Sequence, residues 1–178
     1  MLAVAASEVD GDGVLLCGAP DSAARLFDAC VEAGARPLGM QALDILRVEA
    51  GVPWPGVDMD ESVLIMETGR QAAISFTKGC YLGQEVVERI AARGHVNRHL
   101  TGVRLDGDTP PPAGAKLLAD GQEVGYVTSA VRSEGLGRVI ALAMVHRKHA
   151  TPGDRLTVDG DGGGVAATVA ALPFTASD

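Results

Sequence analysis

The stretch RVIALAMV, residues 138–145, continues without a polar side chain from Val139 to Val145. Apolar side chains on both faces are typical of a strand that is buried on both sides. Similar short runs occur nearby and are parted by turn-forming Asp-Gly, Pro-Pro and Pro-Gly pairs. They are LTGVRL (100–105), AKLL (115–118), EVGYVTSA (123–130), DRLTV (154–158) and GVAATVAAL (164–172). About six such strands predict a small antiparallel barrel or sandwich over residues 98–178, and our expectation for this domain is a β-barrel.

Residues 1–97 have a different sequence pattern, in which apolar residues recur mostly at helical spacing. The pattern predicts a short buried strand at 14–18, helices at 20–33, 40–50 and 84–93, a loop over 52–73 and a short strand at 74–76. Glycines at 34, 51 and 94 stand where a helix commonly stops. We therefore expect an α+β fold, with a partial α+β lobe over residues 1–97 followed by the barrel.

Composition excludes several classes of function. The hydrophobic fraction is 47% but the aromatic fraction only 3%, so the core must be aliphatic. A net charge of −8 argues against binding along a phosphate backbone, and we expect no direct nucleic-acid binding. No apolar run approaches the ~18 residues of a membrane-spanning helix, so we expect no membrane insertion.

The cysteines and histidines indicate neither a disulfide framework nor a metal site. Cys17, Cys30 and Cys80 form no CxxC pair, which predicts a reducing, cytoplasmic location. The histidine pairs 95/99 and 146/149 have suitable spacing for a shared metal, but no nearby carboxylate completes a known ligand set. We expect no metal site.

The segment KGCYLGQE, residues 78–85, concentrates functional groups around one thiol. Cys80 precedes a predicted helix that begins near Gln84, and Lys78 is close in sequence; a helix N-terminus and a cation both stabilise a thiolate. Gln84 and Glu85 could cap free amides or face a ligand. In the alternative interpretation, Cys80 and Tyr81 fill a gap between domains and the glycines only form turns.

The same eight residues resemble the signature of the YgfZ family, K-G-C-Y-x-G-Q-E, and match every fixed position. That family comprises folate-binding relatives of the glycine cleavage T-protein. LRVEAG (46–51) resembles the L-R-x-E-A-G helix end of both families. VGYVTS (124–129) and LPF (172–174) resemble landmarks of the T-protein C-terminal barrel.

The resemblance implies the back half of a T-protein-like fold and tetrahydrofolate, or a derivative, as ligand. It implies an accessory role in the maturation or repair of iron–sulfur enzymes and, through them, in tRNA modification. Iron–sulfur enzymes or assembly factors would then be partners. The alternative is an aminomethyltransferase that transfers a one-carbon unit to tetrahydrofolate; a non-enzymatic role is favoured because true T-proteins differ at the cysteine motif. A third possibility is an interaction fragment without a ligand.

Candidate site residues follow from the motif and the resemblance together. Cys80 is the expected functional thiol and Lys78 its neighbouring cation. Arg47 is the strongest candidate folate contact outside the motif, because a guanidinium holds a carboxylate in two-pronged geometry; its alternative role is an intrahelical pair with Asp44. The remaining candidate folate contacts are Glu49, Tyr81, Gln84 and Glu85.

Members of the resembled families are roughly twice as long, and their additional N-terminal half carries much of the folate cavity and the T-protein catalytic aspartate. We therefore expect either that the chain is a C-terminal fragment of a longer product or that it has a partner, a separate N-terminal half or a second copy of the chain. An incomplete lobe would expose apolar surface that favours such association.

Overall fold

The computed structural model describes residues 2–7, 9, 11–160 and 164–174. The first part contains the hairpin strands β1 (Leu2–Ala5) and β2 (Val14–Cys17) and the helices α1 (Pro20–Glu32), α2 (Met40–Glu49) and α3 (Gln84–Arg93). The second part contains the strands β3 (Arg98–Leu105), β4 (Lys116–Ala119), β5 (Gln122–Ser133), β6 (Arg138–His146), β7 (Arg155–Val158) and β8 (Val165–Ala170). Short 3₁₀ helices cover Ile65–Thr68, Gln71–Ala73 and Arg147–His149.

Strands β3 to β8 form a closed antiparallel barrel in the order β3-β6-β5-β4-β7-β8. The predicted barrel is confirmed, since the sheet closes on itself. The predicted turn Asp120-Gly121 joins β4 to β5, with Ala119 paired to Gln122. Both turn residues have positive φ, 49° and 76°, as a tight two-residue hairpin requires.

Strand β6 is buried on both faces, which explains its unbroken apolar sequence. Val139, Ala141, Ala143 and Val145 point into the barrel, where they join an aliphatic cluster. The alternate residues, Ile140, Leu142 and Met144, point outward into a second buried cluster. Because side chains alternate across a strand, only a covered outer face makes such a run stable.

The barrel interior is aliphatic, as the composition predicts. The remaining members of its buried cluster are Val103, Leu105, Leu117, Ala119, Val127, Leu156, Val158, Ala167 and Val169. No aromatic side chain belongs to this cluster of described residues, so small and branched side chains fill the barrel by themselves.

Helix α2 and the C-terminal segment cover the outer face of β6. Val48 from α2 and Phe174 both belong to the outer cluster. The Phe174 amide donates to the Glu49 carbonyl at 2.8 Å, which ties the segment to the end of α2. A Cβ on Gly102 of β3 would lie 2.8 Å from Phe174 Cζ, so glycine permits this close packing.

The segment before α2 contrasts with the barrel. No described side chain before Arg47 is buried. Strand β2 is therefore a strand, as predicted, but the prediction that it is buried is wrong, because nothing in the described structure covers it. The three predicted helices are present, whereas residues 74–76 form no strand. The division into domains 1–97 and 98–178, and the α+β lobe, stay predictions.

The close approach of β5 to β6 predicts a specific effect of Gly125→Ala. Gly125 lies opposite Val145, and an added Cβ would collide with the Met144 carbonyl oxygen. Because backbone cannot move aside as a flexible side chain can, we expect a loss of about 1–3 kcal/mol in the free energy of unfolding, measured by urea denaturation. Gly160→Ala is the control, since a Cβ there meets nothing within 4 Å. Equal denaturation midpoints for the two variants would contradict this account.

Candidate functional site

The best-defined polar site is built around Arg47, which lies on α2 with only 1% of its surface exposed. Its Nη1 donates to Asp58 Oδ2 at 2.7 Å and to the Val52 carbonyl at 3.2 Å. Its Nη2 donates to Ser129 Oγ at 2.8 Å, and its Nε donates to Asp44 Oδ1 at 2.7 Å. The predicted pair with Asp44 is therefore present, and the guanidinium is engaged on every nitrogen.

Asp58 is the buried counter-charge of Arg47. Besides Arg47, its Oδ2 accepts from the Trp54 amide at 3.0 Å. Its Oδ1 accepts from the hydroxyls of Thr128 and Ser129, both at 2.6 Å. The carboxylate thus has partners at both oxygens, which a buried charge needs if it is not to destabilise the fold.

A β-bulge explains how two consecutive hydroxyls reach one carboxylate oxygen. On a regular strand, Thr128 and Ser129 would point to opposite faces of the sheet. The pairing of β5 with β6 shifts between Val127 and Ser129, which leaves Thr128 as the extra residue. Both side chains are buried and both donate to Asp58. The bulge therefore completes the site.

Arg47, Thr128 and Ser129 line a cleft between α2 and the barrel, with a volume of about 460 Å³. This is within the size range of small-molecule sites. Trp54 lies against the guanidinium, with Arg47 Cζ 4.6 Å from the ring centroid. The open side carries exposed Met40, Gln41 and Val57. Asp44, at 42% side-chain exposure, also faces solvent.

A second ion pair holds the loop between α2 and α3 on the barrel. Arg98 at the start of β3 donates from Nε to Glu67 Oε1 at 2.9 Å and from Nη2 to the Ser62 carbonyl at 2.7 Å. The hydrogen bond that Arg98 donates to the Glu67 carboxylate raises the pKa of Arg98 above its usual value. In the same loop, hydrogen bonds from Ser62 lower the pKa of Asp60. The loop is therefore fixed at several points.

Glu49 has a partner within the protein. The Ser133 hydroxyl donates to its Oε1 at 2.5 Å, and the Leu136 amide donates to the same hydroxyl at 2.9 Å. Glu49 thus connects the end of α2 to the turn between β5 and β6. This contact gives the side chain a structural role, and its role toward folate stays a prediction.

The cysteine motif lies apart from the cleft, and none of its residues belongs to the cleft lining in the described structure. Cys80 is exposed ahead of α3, which does not fit the alternative in which this side chain fills a gap. Lys78 Nζ lies 5.0 Å from the Tyr81 ring centroid. The Tyr81 hydroxyl is buried without a hydrogen-bond partner among the described residues.

The helix start carries the two remaining candidates. The Gln84 side chain donates from Nε2 to Glu88 Oε1 at 2.7 Å, one turn further along the helix. Glu85 is exposed in the first turn. Neither contact identifies a ligand. The structure therefore groups Lys78, Cys80 and Tyr81 at one place and Arg47 at another, and all the predicted site roles stay predictions.

Sequence reasoning missed the residues that complete the Arg47 site. Asp58 looked like one of several acids in a loop, and Ser129 like part of an ordinary strand. One signal was present: Thr128 and Ser129 are adjacent polar residues in an otherwise apolar run. Two neighbouring polar side chains break the alternation of a strand and so indicate a bulge.

Two classes of feature are absent from the residues that the structure describes. No three His, Cys, Asp or Glu side chains converge there as they would around a metal ion. None of the helices there combines the length and the apolar character needed to cross a bilayer.

Removing the buried counter-charge should destabilise the protein strongly. Asp58→Ala leaves the buried Arg47 with only the partly exposed Asp44 as counter-charge, and breaking a buried pair costs about 3–5 kcal/mol. Asp108→Asn is the matched control, because Asp108 is 95% exposed and its pair with Arg132 lies at the surface. Urea denaturation of the two variants measures both effects. A loss of unfolding free energy below about 1 kcal/mol for Asp58→Ala would show that the buried pair contributes no more than a surface pair does.

Comparison with known proteins identifies the barrel. Residues 98–175 match the glycine cleavage T-protein C-terminal barrel domain. A solved aminomethyltransferase T of the glycine cleavage system from Bartonella henselae has the same fold, with a TM-score of 0.77 over 88% of this chain and 44% of that chain. Its sequence identity of 23% supports the fold alone.

Sequence relatives extend the similarity upstream of the barrel. The chain is 37% identical to an aminomethyltransferase of Streptomyces avermitilis over 92% of its own length and 46% of the relative. It is 35% identical to one from a Nostoc species over 92% of its own length and 43% of the relative. The chain thus spans less than half the length of these relatives, and the similarities do not single out the YgfZ family. Residues 98–175 thus match the glycine cleavage T-protein C-terminal barrel domain, and the chain is similar to a part of aminomethyltransferases.

Proposed function

We propose that this chain is the folate-binding C-terminal part of an aminomethyltransferase-type protein and takes part in one-carbon transfer to tetrahydrofolate. The observation that carries the proposal is the cleft between α2 and the barrel, built on the buried Arg47–Asp58 pair. The similarity to aminomethyltransferases over 92% of the chain supports the same function. This proposal reverses the order of preference that the cysteine motif gives by itself.

The chemistry of the cleft suits a flat, hydrogen-bonding ligand. A pteridine ring offers N–H donors to the partly exposed Asp44 carboxylate, and Gln41 supplies both a donor and an acceptor. Met40 and Val57 offer apolar contact to the ring faces. Arg47 is saturated by protein groups, so its role in this proposal is to fix Asp44 and Trp54 at the wall of the cleft.

The domain division completes the proposal. Residues 98–178 form the barrel domain, and residues 1–97 form part of a lobe that a further half, on the same or on another polypeptide, completes. Large apolar side chains are exposed throughout β1, β2 and α1, including Leu2, Val14, Leu15 and Phe27. Exposed apolar surface of this kind marks an interaction site. The partner has the fold of the half that the relatives have in addition, and catalysis needs both.

Binding is tested by thermal unfolding with tetrahydrofolate. The chain is titrated alone and together with the N-terminal half of the Streptomyces avermitilis relative. At about 100 times the dissociation constant, the ligand adds about 2.7 kcal/mol of stability. Gln41→Ala should weaken this stabilisation. Gln71→Ala should leave it unchanged, since Gln71 is also exposed but does not line the cleft.

The two arms of the titration have distinct meanings. Stabilisation only in the presence of the added half supports a cavity completed by a partner. Stabilisation of the chain alone supports folate binding and removes the need for the partner. A flat titration in both arms contradicts the proposed function.

The cysteine motif supports a second candidate, the accessory role in iron–sulfur enzyme maturation and tRNA modification. The supporting observation is the exposure of Cys80 ahead of α3, two residues after Lys78, whose ammonium lies over the Tyr81 ring. An exposed thiol near a cation and a helix N-terminus is the usual setting of a reactive or ligating cysteine. This candidate keeps Cys80 and Lys78 as the functional pair and shares folate with the first.

Cys80→Ser tests the second candidate. In cells that depend on this chain, the variant should lose support of iron–sulfur enzyme activity while its melting temperature stays that of the wild type. Cys17→Ser is the control, because Cys17 is also exposed but lies outside the motif. Full activity of iron–sulfur enzymes with Cys80→Ser would rule out a role for the thiol.

A further inference from the structure

A second groove, of about 530 Å³, lies on the barrel away from the cleft and shares no residue with it. It forms where β3 and β5 begin and β6 ends, beside the 3₁₀ helix Arg147–His149. Its position follows from β6, because Met144 and His146 lie on the outward face of that strand. Helix α2 covers the earlier outward residues of β6 and leaves this end open. The lining includes Gln122, Tyr126, Met144, His146, Lys148 and His149.

The charge balance of the groove is positive, although the chain carries a net charge of −8. Lys148 is exposed and has no carboxylate partner in the described part of the chain. Glu123, the acid in the lining, is already paired with Lys116 at 2.8 Å. Arg98 is neutralised by Glu67. An anion entering the groove therefore meets an ammonium group that no protein group has neutralised.

Two half-buried imidazoles add hydrogen-bonding capacity beside that ammonium. The rings of His146 and His149 have centroids 6.4 Å apart. His146 Nδ1 accepts from the Lys148 amide at 3.4 Å, so the ring proton of its neutral form is on Nε2. This contact also fixes the turn that carries Lys148. The turn thus holds a cation and two imidazoles at one wall of the groove.

Part of the groove lining is apolar or aromatic. Met144 is almost fully buried in the outer core cluster, and Tyr126 packs against the same cluster. A ligand body that covers Tyr126 gains apolar contact with a rigid surface. Ligand sites commonly combine such an apolar wall with a few polar groups that set orientation.

We propose that this groove binds a small molecule with an oxyanion group, carboxylate or phosphate, attached to an aromatic or apolar body. The oxyanion pairs with Lys148 and accepts from His149, and the body lies on Tyr126. The site is independent of the folate cleft, so the two stand or fall separately. It adds a ligand-binding function to a barrel whose family match describes only its fold.

The proposal is tested by NMR titration of the full chain with phenyl phosphate, benzoate and benzyl alcohol. Phenyl phosphate and benzoate distinguish the two oxyanions, and benzyl alcohol has the ring without the charge. We expect saturable shifts at the Gly125 and Lys148 amides with at least one anion and none with the alcohol. Equal shifts with all three would reduce the site to a hydrophobic surface and overturn the proposal.

Variants of one lysine provide the second arm. Lys148→Ala should weaken binding of the anion about tenfold, the equivalent of about 1.4 kcal/mol, whereas Lys148→Arg should retain most of the affinity. Arg138→Ala is the control, because Arg138 is also an exposed cation but lies at the other end of β6 and does not line the groove. Affinity that does not change in Lys148→Ala, or no saturable shift with either anion, contradicts the site.

Discussion

The buried ion pair between Arg47 and Asp58 is the constraint on which the arrangement of the candidate site depends. It joins three segments that are distant in sequence: helix α2, the loop that follows it and the bulge of β5. A buried pair is tolerable only when every lone pair and donor is satisfied, so the three segments must meet in one geometry. That geometry sets the walls of the cleft.

The two parts of the chain differ in how far they bury their own apolar side chains. The barrel closes without an edge and fills its interior with its own side chains, and α2 with Phe174 covers its outer face. The hairpin and α1 bury nothing in the described structure. The chain also spans less than half the length of its aminomethyltransferase relatives. Both facts agree with the proposal that a further half completes this lobe.

The cleft and the cysteine motif represent two different chemistries on one chain. The cleft is pre-formed and rigid because ion pairs fix its walls, which suits recognition of a ligand. The motif exposes its thiol at the start of an amphipathic helix, which suits reaction or contact with a second molecule. Since the two places share no residue, a protein of this fold could retain one function without the other.

The sequence by itself determined the barrel, its approximate start, the helices and the aliphatic core. These follow from local signals: apolar runs, glycine stops and the Asp120-Gly121 turn each act within a few residues. Only the tertiary structure decided that Arg47 pairs with Asp58 and Ser129, because these partners lie 11 and 82 positions away in the sequence. It also decided the exposure of β2, whose apolar sequence predicts burial. Whether an apolar strand is buried depends on what packs against it, and a local pattern carries no information about that neighbour.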